Sequence, residues 1–170
     1  GDFEGLFRAM ESRPVIIRLL DPPLHEFLPQ EDANQREMAQ TMGIDVQVIK
    51  QTVASLHEFN PMLGLRGCRL GITYPEVSAM QVRAVVEAAL NVAAEGTKPH
   101  PEIMIPLVGH ERELALQRSL AEDVIKQVMK DRGLTKLPLK IMIGTMIEVP
   151  RGAITADQVA QHAEFFSFGT

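Results

Sequence analysis

From Pro75 onward the chain alternates amphipathic stretches with short apolar runs, and this rhythm restricts the fold more than any other feature. Pro75 opens a helical stretch to about Glu95, "PEIMIPLVG" (101–109) is a continuous apolar run, and 111–132 is helical again, ended by Gly133. "LKIMIGTMIEVP" (139–150), a helix over 154–163 with Thr155 as its cap, and "FFSFGT" (165–170) complete the series. Proline suits a helix start because its missing N–H is not needed there. Apolar runs without alternation predict strands buried on both faces, the pattern of a parallel sheet. Parallel strands need crossover helices, so the fold class is α/β, either a doubly wound sheet or a (β/α) barrel. No Gly-x-Gly-x-x-Gly turn follows a strand and no Gly-Lys-Ser/Thr loop occurs, which leaves dinucleotide and P-loop sites without support.

The first part of the chain is less regular. Gly5–Glu11 has helical spacing, and "VIIRLLD" (15–21) predicts a strand with Val15, Ile16 and Ile17 in the core. Pro22 and Pro23 stop it, since neither ring can donate to a ladder. A polar helix over 31–42 capped by Gly43 is followed by Asp45 as the N-cap of a helix over 46–59. In the latter, Val46, Ile49, Val53, Leu56 and Phe59 recur at threes and fours. The two helices, about 31–59, read as an insertion after the first strand. Gly64, Gly67 and Gly71 predict an irregular segment with a strand near 64–70. In the helix from Pro75, Val77, Met80, Val85, Ala88 and Val92 form the inner side.

A chain of 170 residues, 45% hydrophobic, suffices for one domain of ordinary size. A net charge of −5 argues against a general nucleic-acid binder. The single cysteine, Cys68, rules out an internal disulfide and fits a reducing compartment. No apolar run approaches the roughly 18 residues of a membrane span, and no signal peptide is visible. The start at Gly1 and the end in an apolar strand suggest a piece of a longer protein.

The informative polar groups fall at strand ends. Arg18 and Asp21 close the first strand, Arg66 and Arg69 lie in the glycine-rich segment, Glu148 sits near the end of "IMIGTMIEV", and Gly169 and Thr170 end the last strand. In α/β folds ligands bind at the carboxyl ends of strands. Guanidinium forks match phosphate and carboxylate geometry, and a carboxylate beside such anions needs a hard cation such as Mg²⁺ between them. The plainer alternative is a set of ion pairs: Arg18 with Asp21 or Glu26, and Glu148 with Arg18, Arg66 or Arg151. Cys68, beside Arg69, reads as a small packed residue rather than an activated thiolate. The five histidines show no metal-ligand spacing.

The segments "RLLDPPLHEFLP", "SLHEFNPMLGLRGCRLGITYPE", "PEIMIPLVG", "IGTMIEVPRGAITAD" and "EFFSFGT" resemble the pyruvate, phosphate dikinase family, in its C-terminal phosphoenolpyruvate-utilising barrel. The resemblance covers essentially the whole chain and implies part of a (β/α)₈ TIM-type barrel, truncated, with the helical insertion after its first strand. It implies an enzyme interconverting ATP, phosphate and pyruvate with AMP, diphosphate and phosphoenolpyruvate through a phosphohistidine domain of the same parent chain. Arg18 and Arg66 would hold the phosphoryl and carboxylate groups, Glu148 would ligate Mg²⁺ and contact substrate, and Gly169 and Thr170 would line the site through their backbone. The family motif continues past Thr170 with Asn-Asp, whose Asp is a second Mg²⁺ ligand; the proton-donor cysteine, the phosphorylated histidine and the nucleotide domain are also outside this chain. The isolated segment is therefore expected to be inactive. A homodimer and a cytoplasmic location follow by resemblance, or a plastid for a plant parent. Rival readings are phosphoenolpyruvate synthase, the sugar phosphotransferase-system enzyme, and a non-catalytic dimerisation module; the first two share only the shorter "MIE-P" and "FFS-GT" motifs.

Overall fold

The computed structural model describes residues 1–21, 23, 27–57 and 63–169. The chain divides into two compact units, one of Gly1–Asp21 with Gly67–Thr170 and the other of Pro22–Arg66.

The larger unit is built on four parallel strands, β1 (Pro14–Arg18), β2 (His100–Ile105), β3 (Met142–Ile147) and β4 (Phe166–Phe168). Their spatial order is β1-β2-β3-β4, the order of the chain. A doubly wound sheet reverses its order at a switch point, whereas a (β/α) barrel adds each strand beside the last. The sheet is therefore an arc of a barrel. Helices α1 (Asp2–Met10), α4 (Gly67–Thr73), α5 (Pro75–Ala94) and α6 (Glu111–Asp131) accompany it, with the short α7 (Pro150–Ile154) and α8 (Ala156–Val159) between β3 and β4.

Burial explains the strand pattern. In β1, Val15 and Ile17 join the core that holds Val82, Val85 and Val86 of α5 and Ile103 and Ile105 of β2. Ile16, expected in that core, lies on the opposite face and is 51% exposed, because successive strand residues point to opposite faces and the helices cover only one. Val85, Ala88 and Val92 are buried as expected, but Met80 is exposed, since the inward face of α5 turns instead through Ser78 and Val82. Contrary to the expectation that no apolar run is long enough, α5 could cross a membrane by length and composition, because its few charged residues are spread through an otherwise apolar helix. Half of that stretch is buried inside the fold, as a core helix would be.

The strand expected near 64–70 is absent: Gly67–Thr73 is helical. The glycines there serve close packing. A Cβ on Gly71 would collide with the Ser78 hydroxyl and lie 2.5 Å from Gln117 Oε1, so glycine lets α4 sit against α5 and α6. The single helix expected over 154–163 is instead broken at Thr155 into α7, α8 and a 3-10 turn (Ala160–His162). Thr155 does not cap with its side chain; its hydroxyl donates to the Arg151 carbonyl at 2.9 Å, ending α7. His110, in contrast, caps α6: its Nδ1 accepts from Arg112 N while Glu113 reaches back to His110 N.

The smaller unit contains α2 (Asp32–Met42) and α3 (Val46–Leu56). Gly43 ends α2 in the left-handed conformation, and Asp45 caps α3 by accepting from Gln47 N at 2.8 Å. Ala39 and Ile49 are buried, and Asp32 pairs with both Arg36 and Lys50. Phe59, the last expected anchor of the second helix, falls outside the described residues.

Candidate functional site

Because the sheet is parallel, the carboxyl ends of all four strands lie at one end of it. Arg18 is the last residue of β1, and Glu148 directly follows β3. Arg18 Nη2 donates to both Glu148 oxygens at 3.1 Å and contacts Asp21 Oδ2 at 2.7 Å. The Glu148 side chain is only 9% exposed and that of Asp21 6%, while the Arg18 side chain keeps 39%. One cation thus serves two nearly buried carboxylates. An ion pair at this depth is weak evidence of stabilisation, since desolvation offsets much of the attraction.

The end of β2 supplies a third element. After Pro106 the chain enters the left-handed region at Leu107, φ 61°. For a bulky residue this is an outlier costing on the order of 1–3 kcal/mol, and such strain collects at functional sites. In this conformation Leu107 N–H donates to Glu148 Oε1 at 2.9 Å. Cys68, in the first turn of α4, holds the same bend: its N–H donates to the Pro106 carbonyl at 3.1 Å, and its Sγ bonds the Leu107 carbonyl at 3.2 Å. Gly67, φ 57°, has no room for a side chain; a Cβ would lie 2.9 Å from Leu107 Cδ1 and 3.0 Å from Asp21 Oδ1. Gln81 of α5 clamps the exit from β1, accepting from Leu20 N at 2.7 Å and donating to the Arg18 carbonyl at 3.3 Å.

Gly169 completes the rim. Its N–H donates to the Ile147 carbonyl at 3.2 Å, and a Cβ there would lie 2.7 Å from Met146 Sδ and 3.3 Å from Glu148 Cβ. Ile147, Glu148, Val149, Pro150, Ala153 and Gly169 line a shallow hollow of about 220 Å³.

Of the residues singled out from the sequence, Arg18, Glu148 and Gly169 come together at one end of the sheet. Arg66 ends the smaller unit, where its N–H donates to the Gly64 carbonyl at 3.1 Å. Thr170 lies outside the described residues. Sequence reasoning missed Leu107 and Gln81. Nothing local marks Leu107 as left-handed; Gln81 could have been found as a polar residue one turn before the buried Val85. Among the described residues no group of three or more His, Cys, Asp or Glu could hold a metal.

Cys68 is 1% exposed, and burial, aided by the Glu113 carboxylate, pushes its thiol up to about 12. It is a packed donor, not a nucleophile. The folded state keeps this proton above the unfolded thiol's value near 9, so unfolding releases it between those limits and stability falls as pH rises from about 9 to 12. Cys68→Ala is expected to flatten that decline in denaturant titrations, and native Cys68 to resist alkylation at pH 8 until the protein is unfolded.

All 170 residues match the family model described as "PEP-utilising enzyme, PEP-binding domain". The chain is 52% identical to pyruvate, phosphate dikinase of Clostridium symbiosum, over 100% of this chain and 19% of the relative. It is 52% identical to the chloroplastic pyruvate, phosphate dikinase of Mesembryanthemum crystallinum, and 51% to chloroplastic pyruvate, phosphate dikinase 1 of Arabidopsis thaliana. Those matches cover 99% of this chain and 18% and 17% of the relatives, so the chain spans less than a fifth of the length of the proteins it resembles. With its whole length matched, a parallel barrel arc and a charged cluster at the carboxyl ends of the strands, the chain belongs to the PEP-utilising enzyme family, as its PEP-binding domain.

Proposed function

We propose that the full-length protein is a phosphotransferase of the pyruvate, phosphate dikinase type, and that this domain binds phosphoenolpyruvate or pyruvate with Mg²⁺. The observation that carries the reading is Arg18 at the end of β1, bonded to Glu148 at the end of β3, in a chain 52% identical to such dikinases. The Arg18 side chain is partly exposed, and its guanidinium fork suits a phosphoryl or carboxylate group. Arg66 is its proposed companion, and Gly169 and Thr170 offer backbone groups.

The donor set fits Mg²⁺. Among the described residues, Glu148 Oε1 is engaged by Leu107 N–H and Arg18, while Oε2 accepts only from Arg18. Mg²⁺ is commonly held by one or two carboxylates plus substrate oxygens, so Glu148 would supply one of them, beside the Asp expected after Thr170. When bound, the ion would neutralise charge on the substrate oxygens. The protein's own part is positional: Arg18 orients the anion, Glu148 fixes the cation side, and Asp21 keeps the guanidinium at the mouth. The phosphoryl group would come from a phosphohistidine domain of the same parent chain, in a homodimer.

Arg18→Lys tests the reading. A lysine keeps the charge but loses the fork. In the full-length protein we expect kcat/KM for phosphoenolpyruvate to fall about 10–100-fold, a loss of roughly 1.4–2.7 kcal/mol of transition-state stabilisation. Wild-type kinetics in Arg18→Lys would remove Arg18 from the site.

A further inference from the structure

We propose that Leu107 is a positioning residue for Glu148: its backbone N–H, and not its side chain, fixes which carboxylate oxygen faces the ligand. This rests on the Glu148 role proposed above. Three observations converge on one bend. Leu107 adopts φ 61°, where a bulky residue is rare. Its N–H lies 2.9 Å from Glu148 Oε1. The bend is held from α4 by Cys68 on the carbonyls of Pro106 and Leu107, while glycine at 67 leaves room for the Leu107 side chain.

The consequence is a division of labour within the carboxylate. Among the described residues, Oε1 takes the Leu107 N–H together with Arg18 Nη2, and Oε2 takes Arg18 Nη2 alone. The amide thus locks the carboxyl plane and leaves Oε2 as the oxygen with capacity to spare. Without this N–H the carboxylate would be free to rotate about its last torsion. Such fixed partners of a metal-binding carboxylate typically change affinity 10–100-fold.

The test separates backbone from side chain, in the full-length protein. Leu107→Gly adopts a left-handed φ readily and keeps the N–H. Replacing residue 107 by the α-hydroxy analogue of leucine keeps the side chain and exchanges the N–H for an ester oxygen. Mn²⁺ affinity, read by water-proton relaxation in the presence of phosphoenolpyruvate, should stay within about threefold of wild type in Leu107→Gly and weaken at least about tenfold in the ester. Thermal stability is measured alongside, because a merely structural role would lower stability in the ester and leave Mn²⁺ affinity unchanged; that result overturns the proposal. If wild type itself fails to bind Mn²⁺, the metal reading has failed, and the positioning claim is judged by amide exchange. Exchange of the Leu107 N–H that speeds up tenfold or more in Glu148→Ala supports it, and unchanged exchange overturns it.

Discussion

Glu148→Gln is expected to lower kcat/KM of the full-length protein at least about a hundredfold, equivalent to ~2.7 kcal/mol of transition-state stabilisation. The substitution is nearly isosteric, so the loss isolates charge from packing. In the native site the carboxylate is 9% exposed and accepts three hydrogen bonds, two from Arg18 and one from Leu107 N–H. The amide of glutamine could still accept from Leu107, but its NH₂ would face the guanidinium, donor against donor. Arg18 would keep Asp21 as its anionic partner at 2.7 Å, so the cluster should not unfold. Steady-state kinetics over a Mg²⁺ series check this, with the thermal midpoint as a control. A large loss with a small midpoint change assigns Glu148 to the chemistry; equal activity would leave it as an ion pair only.

Gly144→Ala should have the largest effect on stability, about 3 kcal/mol. Gly144 is in the middle of β3, paired with Met104 of β2. A Cβ there would collide with the Phe165 carbonyl and lie 2.6 Å from Phe165 Cδ1. The ring could move, but the carbonyl is fixed, because Thr145 N–H donates to it at 3.2 Å and Glu164 N–H donates to the Ile143 carbonyl at 2.9 Å on the same seam. The clash must therefore push β4 from β3. At roughly 2–4 °C per kcal/mol for a domain of this size, the midpoint should fall about 6–12 °C. Calorimetry measures this directly. A midpoint within 2 °C of wild type would mean that the seam can open without cost, and that Gly169 is not held against Glu148 as described.

The sequence made the architecture legible wherever burial had a simple period. Continuous apolar runs at 101–109 and 139–150 became β2 and β3, although both strands are shorter than the runs, because Pro106 and Glu148 divert the chain at the mouth. Gly133 after α6 and Asp45 before α3 did what their chemistry dictates: Gly133 adopts φ 65° and Asp45 accepts from Gln47 N. Reading failed where a residue's reason is tertiary. Gly67 and Gly71 look like chain breakers in one dimension, but they lie in a helix, bare because Leu107, Ser78 and Gln117 press against them. Ile16 has the chemistry of a core residue and the position of the uncovered sheet face. The site was half legible. Arginine and glutamate at strand ends are visible as anomalies in apolar runs. A backbone amide at a left-handed leucine, bonded to a distant carboxylate, carries no mark in the sequence.

The most direct test of the central claim is a calorimetric titration of phosphoenolpyruvate into the full-length protein, with and without Mg²⁺. We predict saturable binding that needs Mg²⁺ and is lost in Glu148→Gln. Binding of equal strength without Mg²⁺, or with Gln at 148, would contradict the account and leave the cluster of Arg18, Asp21 and Glu148 as an ion-pair network.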